Sequence, residues 1–105
     1  MTTTETRFVG DEVFLSVVDE QGRDLSTGYT FEIVVTRDSD NAVRERIAGS
    51  AGGTGNSTIT SNNATAAATF DAAGRYLWHA EATTGGGDVH RIGIGYVEII
   101  PVPGG

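Results

Sequence analysis

The sequence predicts an all-β protein built as an antiparallel sandwich or barrel. Short β-type runs alternate with polar or glycine-rich turns about every ten residues, a spacing typical of these folds. Long apolar runs with the helical period of about 3.6 residues are absent. The chain contains no cysteine, so we expect the fold to form without a disulfide.

Alternating apolar side chains define the predicted strands. Residues 12–18 should bury Val13, Leu15 and Val17 on one face and bury the opposite face in part. Residues 29–36 give the clearest alternation, and residues 42–47 are predicted as an edge strand. The remaining predicted strands are residues 57–60, 65–70, 75–83 and 89–100.

A chain of 105 residues has room for one domain with one modest core. We expect a flexible polar arm over residues 1–6 and a single domain over residues 7–100. Residues 101–105 form a Pro/Gly tail that cannot continue a strand ladder. The glycine-rich residues 49–55 are predicted to be a mobile loop.

The last two predicted strands should form a hairpin whose register follows from the apolar residues. A register with the large apolar side chains on one face is favoured over one slipped by a residue, which sets Gly93 and Gly95 against that face. It places His79 and His90 on opposite faces. The predicted pairs are Ala82 with His90, Glu81 with Arg91, Ala80 with Ile92, Trp78 with Ile94 and Tyr76 with Tyr96.

Fourteen acidic and seven basic residues give a net charge of −7. This charge argues against nucleic acid and against an anionic membrane as partners, since both require a positive surface. No apolar run approaches the roughly 20 residues of a membrane-spanning helix. The first residues show neither the basic nor the apolar part of a secretion signal.

No cofactor, metal or enzymatic activity is predicted. A metal site would require His79 and His90 to converge with a carboxylate, and the favoured register separates them. Residues 38–41 begin like a calcium loop but lack its later glycine and glutamate. The glycine-rich residues 49–55 and 85–87 lack the lysine of a phosphate-binding loop. Paired carboxylates fall in turns, where solvated acids are expected rather than catalytic ones.

The segment 71–78 (DAAGRYLW) resembles the corner that precedes strand F of immunoglobulin-like domains. The resemblance implies that the hydroxyl of Tyr76 closes this corner on upstream backbone. Trp78 takes the position of the second cysteine of antibody domains. The fold that this implies is an immunoglobulin-like antiparallel β-sandwich of about seven or eight strands, with Trp78 anchoring the core.

The layout of residues 8–101 is also similar to small immunoglobulin-like virion proteins of tailed bacteriophages, including the N-terminal modules of baseplate upper proteins. The segments that carry the resemblance are residues 10–15, 19–28, 29–35, 73–81 and 96–101, with a glycine-rich hairpin loop between the last two. It implies a non-enzymatic virion structural protein, assembled in the host cytoplasm, that docks on other virion proteins or on further copies of itself. A tail, baseplate or neck position and a capsid-decoration position both remain open.

Under this hypothesis the termini, an edge strand and the loops would contact the partner. A carbohydrate- or ligand-binding module is the alternative, and it would require exposed aromatic residues on one face. A cell-surface adhesion module is a further alternative. The candidate interface residues are Thr2, Thr3, Thr4, Arg44, Arg46, Pro101 and Pro103.

Overall fold

The computed structural model describes residues 2–103, with side chains from residue 4 onward, and it confirms the all-β fold. The only helical element in this part of the chain is a 3-10 turn at Thr54–Asn56. No helix that could cross a membrane is found there. The strands are β1 (Thr2–Phe8), β2 (Ser16–Val18), β3 (Tyr29–Arg37), β4 (Val43–Gly52), β5 (Thr58–Ser61), β6 (Gly74–Thr84) and β7 (Val89–Ile100).

The seven strands form one curled sheet in the order β1-β7-β6-β3-β4-β5-β2. Only β1 and β7 run parallel, and every other neighbouring pair is antiparallel. The curl brings β2 over β7, where the side chain of Val17 packs on the backbone of Gly93. The result is a β-sandwich whose buried side chains form one core between the layers.

Strand β4 joins the two layers. It pairs with β3 along its first part and with β5 from Gly49 to Gly52. Gly49 lies where both pairings meet, opposite Phe31 on one side and Ser61 on the other. Residues 43–48 pair with β3 alone, so the edge strand predicted over residues 42–47 has a neighbouring strand on one side only. The prediction of a mobile loop over residues 49–55 is wrong as far as Gly52, which belongs to β4.

The first residues form a strand instead of the flexible arm predicted over residues 1–6. β1 pairs in parallel with β7 along its length, from Thr2 opposite Ile94 to Phe8 opposite Ile100. Pairing satisfies backbone groups along the β7 edge, and Val9, which follows, packs against the core. Residues 101–103 continue past β7 without strand structure.

The strand predicted over residues 65–70 is also absent, and a turn occupies residues 67–70. The carboxylate of Glu45 on β4 accepts hydrogen bonds from the backbone N–H of Ala66 at 3.0 Å and from the hydroxyl of Thr69 at 2.5 Å. Phe70 at the end of the turn is fully buried. A side chain distant in sequence thus overrides the β propensity of the threonines.

The β6–β7 hairpin follows the predicted register only next to its loop. Glu81 pairs with Arg91 as predicted, but a bulge at Ile92 then shifts the register by one residue. Beyond the bulge the pairs are Ala80 with Gly93, Trp78 with Gly95 and Tyr76 with Val97, which is the register that the sequence argument rejected.

Gly95 explains the shifted register. The indole of Trp78, 1% exposed, lies so close over Gly95 that a Cβ atom there would overlap the ring. Gly93 makes similar room for Val17 from the facing layer. The two glycines are therefore positions where the backbone admits large side chains of the core, whereas the sequence argument placed them on the outer face.

The corner before β6 forms as the immunoglobulin-like resemblance implies. The hydroxyl of Tyr76 donates a hydrogen bond to the carbonyl of Ala72 at 3.0 Å. The ring of Phe70 meets the Tyr76 ring edge-on, with centroids 5.0 Å apart. Both aromatic side chains are buried, so the corner closes one end of the core.

Replacing Gly95 with alanine should destabilise the domain because the new methyl group would displace the Trp78 indole. Overpacking of this kind costs about 1–3 kcal/mol. The matched control is Gly85→Ala in the hairpin loop, where a Cβ atom meets nothing and the stability should hardly change. Urea unfolding followed by Trp78 fluorescence measures both. Equal stability of the two variants would contradict the packing argument.

Candidate functional site

The edge of the curled sheet at residues 12–18 has two sharply different faces. Val13, Leu15 and Val17 are buried in the core. The alternate residues point outward, and Phe14 is 61% exposed and Val18 46% exposed. The sequence predicted a strand here with the second face partly buried, but its apolar side chains meet solvent.

The inward backbone groups of this edge are hydrogen-bonded. The N–H of Ser61 donates to the carbonyl of Leu15, and the N–H of Asp19 donates to Ser57, both at 2.8 Å. In the residues that precede β2, side-chain hydroxyl groups act as the acceptors in place of backbone carbonyls. The N–H of Val13 donates to Thr65 Oγ1 and that of Leu15 donates to Ser61 Oγ, both at 3.0 Å. The odd-numbered residues are therefore bound to the neighbouring segment.

The backbone groups of the even-numbered residues point the other way. Successive residues of an antiparallel strand direct their N–H and C=O groups to opposite sides. β2 is the last strand in the sheet order, so no strand in residues 2–103 pairs with its outer side. The groups of Glu12, Phe14, Ser16 and Val18 thus form an unpaired row beside the exposed side chains.

The outer face of this edge carries no charge between its two ends. The hydroxyls of Ser16 and Thr60 hydrogen-bond to each other at 3.1 Å, which ties the edge to β5. Phe14 and Val18 flank this polar contact. Glu12 and Glu20 lie at the two ends and are exposed.

A buried ion pair fixes the end of the edge strand. Asp19 is 3% exposed, and Arg23 Nε donates to its carboxylate at 2.7 Å. The N–H of Gln21 donates to the same carboxylate at 3.0 Å. Burial alone would raise the pKa of Asp19, but the hydrogen bonds from Arg23 and Gln21 outweigh it and hold that pKa below its usual value.

The arginines singled out in the sequence lie elsewhere and bind within the chain. Arg46 contacts Glu32 at 2.7 Å on the outer face of the sheet. Arg44 contacts Asp71 at 3.0 Å and also donates to the carbonyl of Ala68. Both arginines lie in the part of β4 that precedes its pairing with β5, and both are held by partners within the chain.

The remaining candidate interface residues lie at the opposite edge or beyond it. Thr2, Thr3 and Thr4 belong to β1, opposite residues 94–96 of β7. Pro101 and Pro103 are exposed after β7 ends. The structure brings none of these residues to the edge at residues 12–18, which the sequence analysis did not single out. The available signal was Phe14, on the face that alternation sets away from the core.

The histidines do not converge on a metal site. His79 pairs with Ile94, whereas His90 pairs with Ala82 on the opposite face. His79 Nε2 lies 2.8 Å from a carboxylate oxygen of Glu81. Across residues 2–103, no three or more His, Cys, Asp or Glu side chains are placed to hold a metal ion.

The aromatic residues do not form an exposed binding platform. The ring pairs found among the described side chains do not include Phe14. The rings of Tyr29 and Phe31 stack with centroids 6.2 Å apart, but both are half-buried against the core. The turn at residues 38–41, which begins like a calcium loop, is closed by the Asp40 carboxylate, which accepts the N–H of Ala42 at 3.0 Å.

The fold and the site define an immunoglobulin-like β-sandwich with an open edge. No protein-family model matches the sequence, and no curated protein matches it. Among solved structures the chain is similar to CopC from Methylosinus trichosporium OB3b, with a TM-score of 0.54 and 10% identity. The match covers 94% of this chain and 85% of CopC. At this identity the likeness shows the fold alone.

The prediction of a phage virion structural protein is wrong. The likeness found is to CopC, a copper-handling protein, which points away from a virion role, and nothing found points to a phage. The carbohydrate-binding alternative also finds no support. The prediction of a β-sandwich does not depend on the function that the resemblance implied, because one fold can host many functions.

The Asp19–Arg23 pair predicts a specific pH dependence of stability. Asp19 has a lower pKa in the folded chain than the usual value of about 3.9, so its contribution is fully present above that value. This contribution is lost as the pH falls through the folded pKa. Urea unfolding at a series of pH values below about 4 should show the wild type losing more stability than Asp19→Asn. The exposed control Asp88→Asn should follow the wild type, and a wild-type slope in Asp19→Asn would contradict the assignment.

Proposed function

We propose that this chain is a non-enzymatic protein-binding domain that accepts an extended segment of a partner as an added strand beside residues 12–18. The observation that carries the proposal is the unpaired backbone row on this edge, accompanied by the 61% exposed ring of Phe14. An added strand would satisfy the row and cover the ring in one step.

The composition of the edge supports this use. Sheet edges are usually protected against pairing by charged side chains, proline or bulges. Residues 13–18 contain no charged residue and no proline, and the outward face instead presents Phe14, Ser16 and Val18. Main-chain hydrogen bonds would supply affinity at about 0.5–1.5 kcal/mol each. The alternate side chains would supply specificity.

The likeness to CopC raises copper binding as a second candidate, and the described side chains do not fit it. His79 and His90 lie on opposite faces of the hairpin. The sequence contains no cysteine. Imidazole and thiolate are the protein ligands that copper favours, and a site needs several of them together. We therefore derive no function through a bound metal.

Ser16→Pro should weaken strand addition and leave the domain folded. Proline removes the outward N–H of residue 16, which makes no ladder bond to β5, so the edge position tolerates it. Peptides selected from a random library on the wild-type chain should bind Ser16→Pro about two- to tenfold more weakly, because a hydrogen bond worth about 0.5–1.5 kcal/mol is lost at the interface. They should bind the control Ser16→Thr as tightly as the wild type. Fluorescence anisotropy measures the affinities.

Hydrogen exchange gives a readout that does not depend on the proline variant folding. Bound peptide should slow the exchange of the Phe14, Ser16 and Val18 amides in the wild-type chain. Circular dichroism of Ser16→Pro checks its fold. Peptides that bind without protecting these amides would show that another surface is used.

A further inference from the structure

We infer that two copies of this chain pair through β1, at the other edge of the sheet, independently of strand addition beside residues 12–18. The argument starts from the direction of the β1 backbone groups. The N–H of Val9, the residue after β1, donates to the carbonyl of Ile100 on β7 at 3.0 Å. Successive residues of a strand direct these groups to opposite sides. The odd-numbered residues of β1 therefore face β7, and the even-numbered residues face away from it.

The outward groups at the C-terminal end of β1 are already used. The N–H of Phe8 donates to the carboxylate of Asp11 at 2.9 Å. The carbonyl of Phe8 accepts the N–H of Asp11 at 3.0 Å. An added strand would have to displace this turn in order to pair with Phe8.

The other outward groups of β1 belong to three threonines, Thr2, Thr4 and Thr6. No strand in residues 2–103 pairs with this side of β1. The carbonyl of Thr6 accepts one bond from the side chain of Arg7 at 3.2 Å. A carbonyl oxygen has two lone pairs, so this acceptor can take a second bond. The open row is thus short and consists of one residue type.

A second copy of the same row fits this edge in one antiparallel register. Pairing about Thr4 sets Thr4 opposite Thr4 of the other copy, and Thr2 opposite Thr6 at both ends. Each of these pairs can exchange two backbone hydrogen bonds. Threonines directly opposite each other also favour pairing. The contact is two-fold symmetric, so it closes at a dimer.

The adjacent registers are disfavoured by groups on the same strand. Pairing about Glu5 sets the two glutamates directly opposite each other, and like charges there destabilise the pair. Pairing about Thr6 sets Thr4 against Phe8, whose outward groups are held by Asp11. Pairing about Thr4 is the antiparallel register that joins all three threonines to one another.

The charges of β1 suit a second copy better than a charged partner. Glu5 and Arg7, the two charged residues of the strand, contact each other at 2.6 Å. The edge is therefore neutral, although the chain carries a net charge of −7. That net charge opposes dimers at long range. Raising the salt from about 0.01 to 0.15 M shortens the screening length from about 30 to 8 Å, so the dimer should tighten.

Single cysteines test the register, since the chain has none of its own. Thr4→Cys places two thiols opposite each other, within reach of a disulfide. Thr6→Cys is the matched control, equally exposed, but its thiols would lie about 13 Å apart along the strands. At about 0.1 mM protein, thiols held together at mM effective concentration should couple about tenfold faster than those of the control. Non-reducing electrophoresis measures the rates.

Sedimentation of the cysteine-free chain over a series of concentrations measures the dimer itself. Thr4→Pro removes an N–H that makes no bond to β7, so the domain should stay folded, which circular dichroism checks. Two hydrogen bonds are lost across the dimer, so it should dissociate about 5- to 150-fold more readily. Thr4→Val keeps the N–H and the branched side chain, and it should dimerise like the wild type.

Three outcomes would overturn the inference. The first is equal coupling of Thr4→Cys and Thr6→Cys, which would indicate random collision. The second is a wild-type chain that stays monomeric at every concentration and salt. The third is a dimer that Ser16→Pro abolishes and Thr4→Pro does not, because the second copy would then occupy the edge at residues 12–18. Strand addition is judged separately, by the peptides and by the Ser16 amide.

Discussion

The close contact between the Trp78 ring and the backbone of Gly95 is the constraint on which the rest of the sandwich depends. The indole N–H has no hydrogen-bond partner within residues 2–103, so packing alone holds the ring. Because only glycine leaves room for it, β7 must place Gly95 opposite Trp78. The bulge at Ile92 makes that register compatible with the tight loop at the hairpin end.

The same contact influences where the sheet stays open. Trp78 fills the space between the layers near β6 and β7, and Val17 reaches β7 over Gly93. These contacts hold β2 across the core but do not join it to β1 by a strand ladder. A curled sheet that does not close keeps two edges. One is β1, at the N-terminal end of the chain, and the other is the segment with Phe14.

Local patterns predicted the elements whose formation depends on alternation. Strands β3, β6 and β7, the tyrosine corner and the buried Trp78 all follow from the sequence. Apart from the hairpin register, the structural predictions that are wrong concern partners distant in sequence. No local signal shows that Glu45 caps the turn near Thr69, or that the first residues pair with β7. The candidate site escaped prediction for the same reason, since a strand is an edge only by its place in the sheet order.

The hairpin register shows how an apolar pattern can mislead. Counting large side chains on one face rejects the register that places glycine against tryptophan, because glycine adds no buried surface of its own. The folded chain favours that register, since the space left by glycine is filled by a ring from the facing strand. Packing density, which depends on both partners, outweighs the hydrophobicity of either one.

The parallel pairing of β1 with β7 has a mechanical consequence. The two strands lie side by side with Thr2 and Ile100 at opposite ends of the pair. A tensile force applied between these residues acts along the strands and loads their hydrogen bonds in shear. The bonds then share the load instead of rupturing one after another, as they do when a hairpin is peeled apart. The sandwich is thus built to resist stretching between its terminal strands.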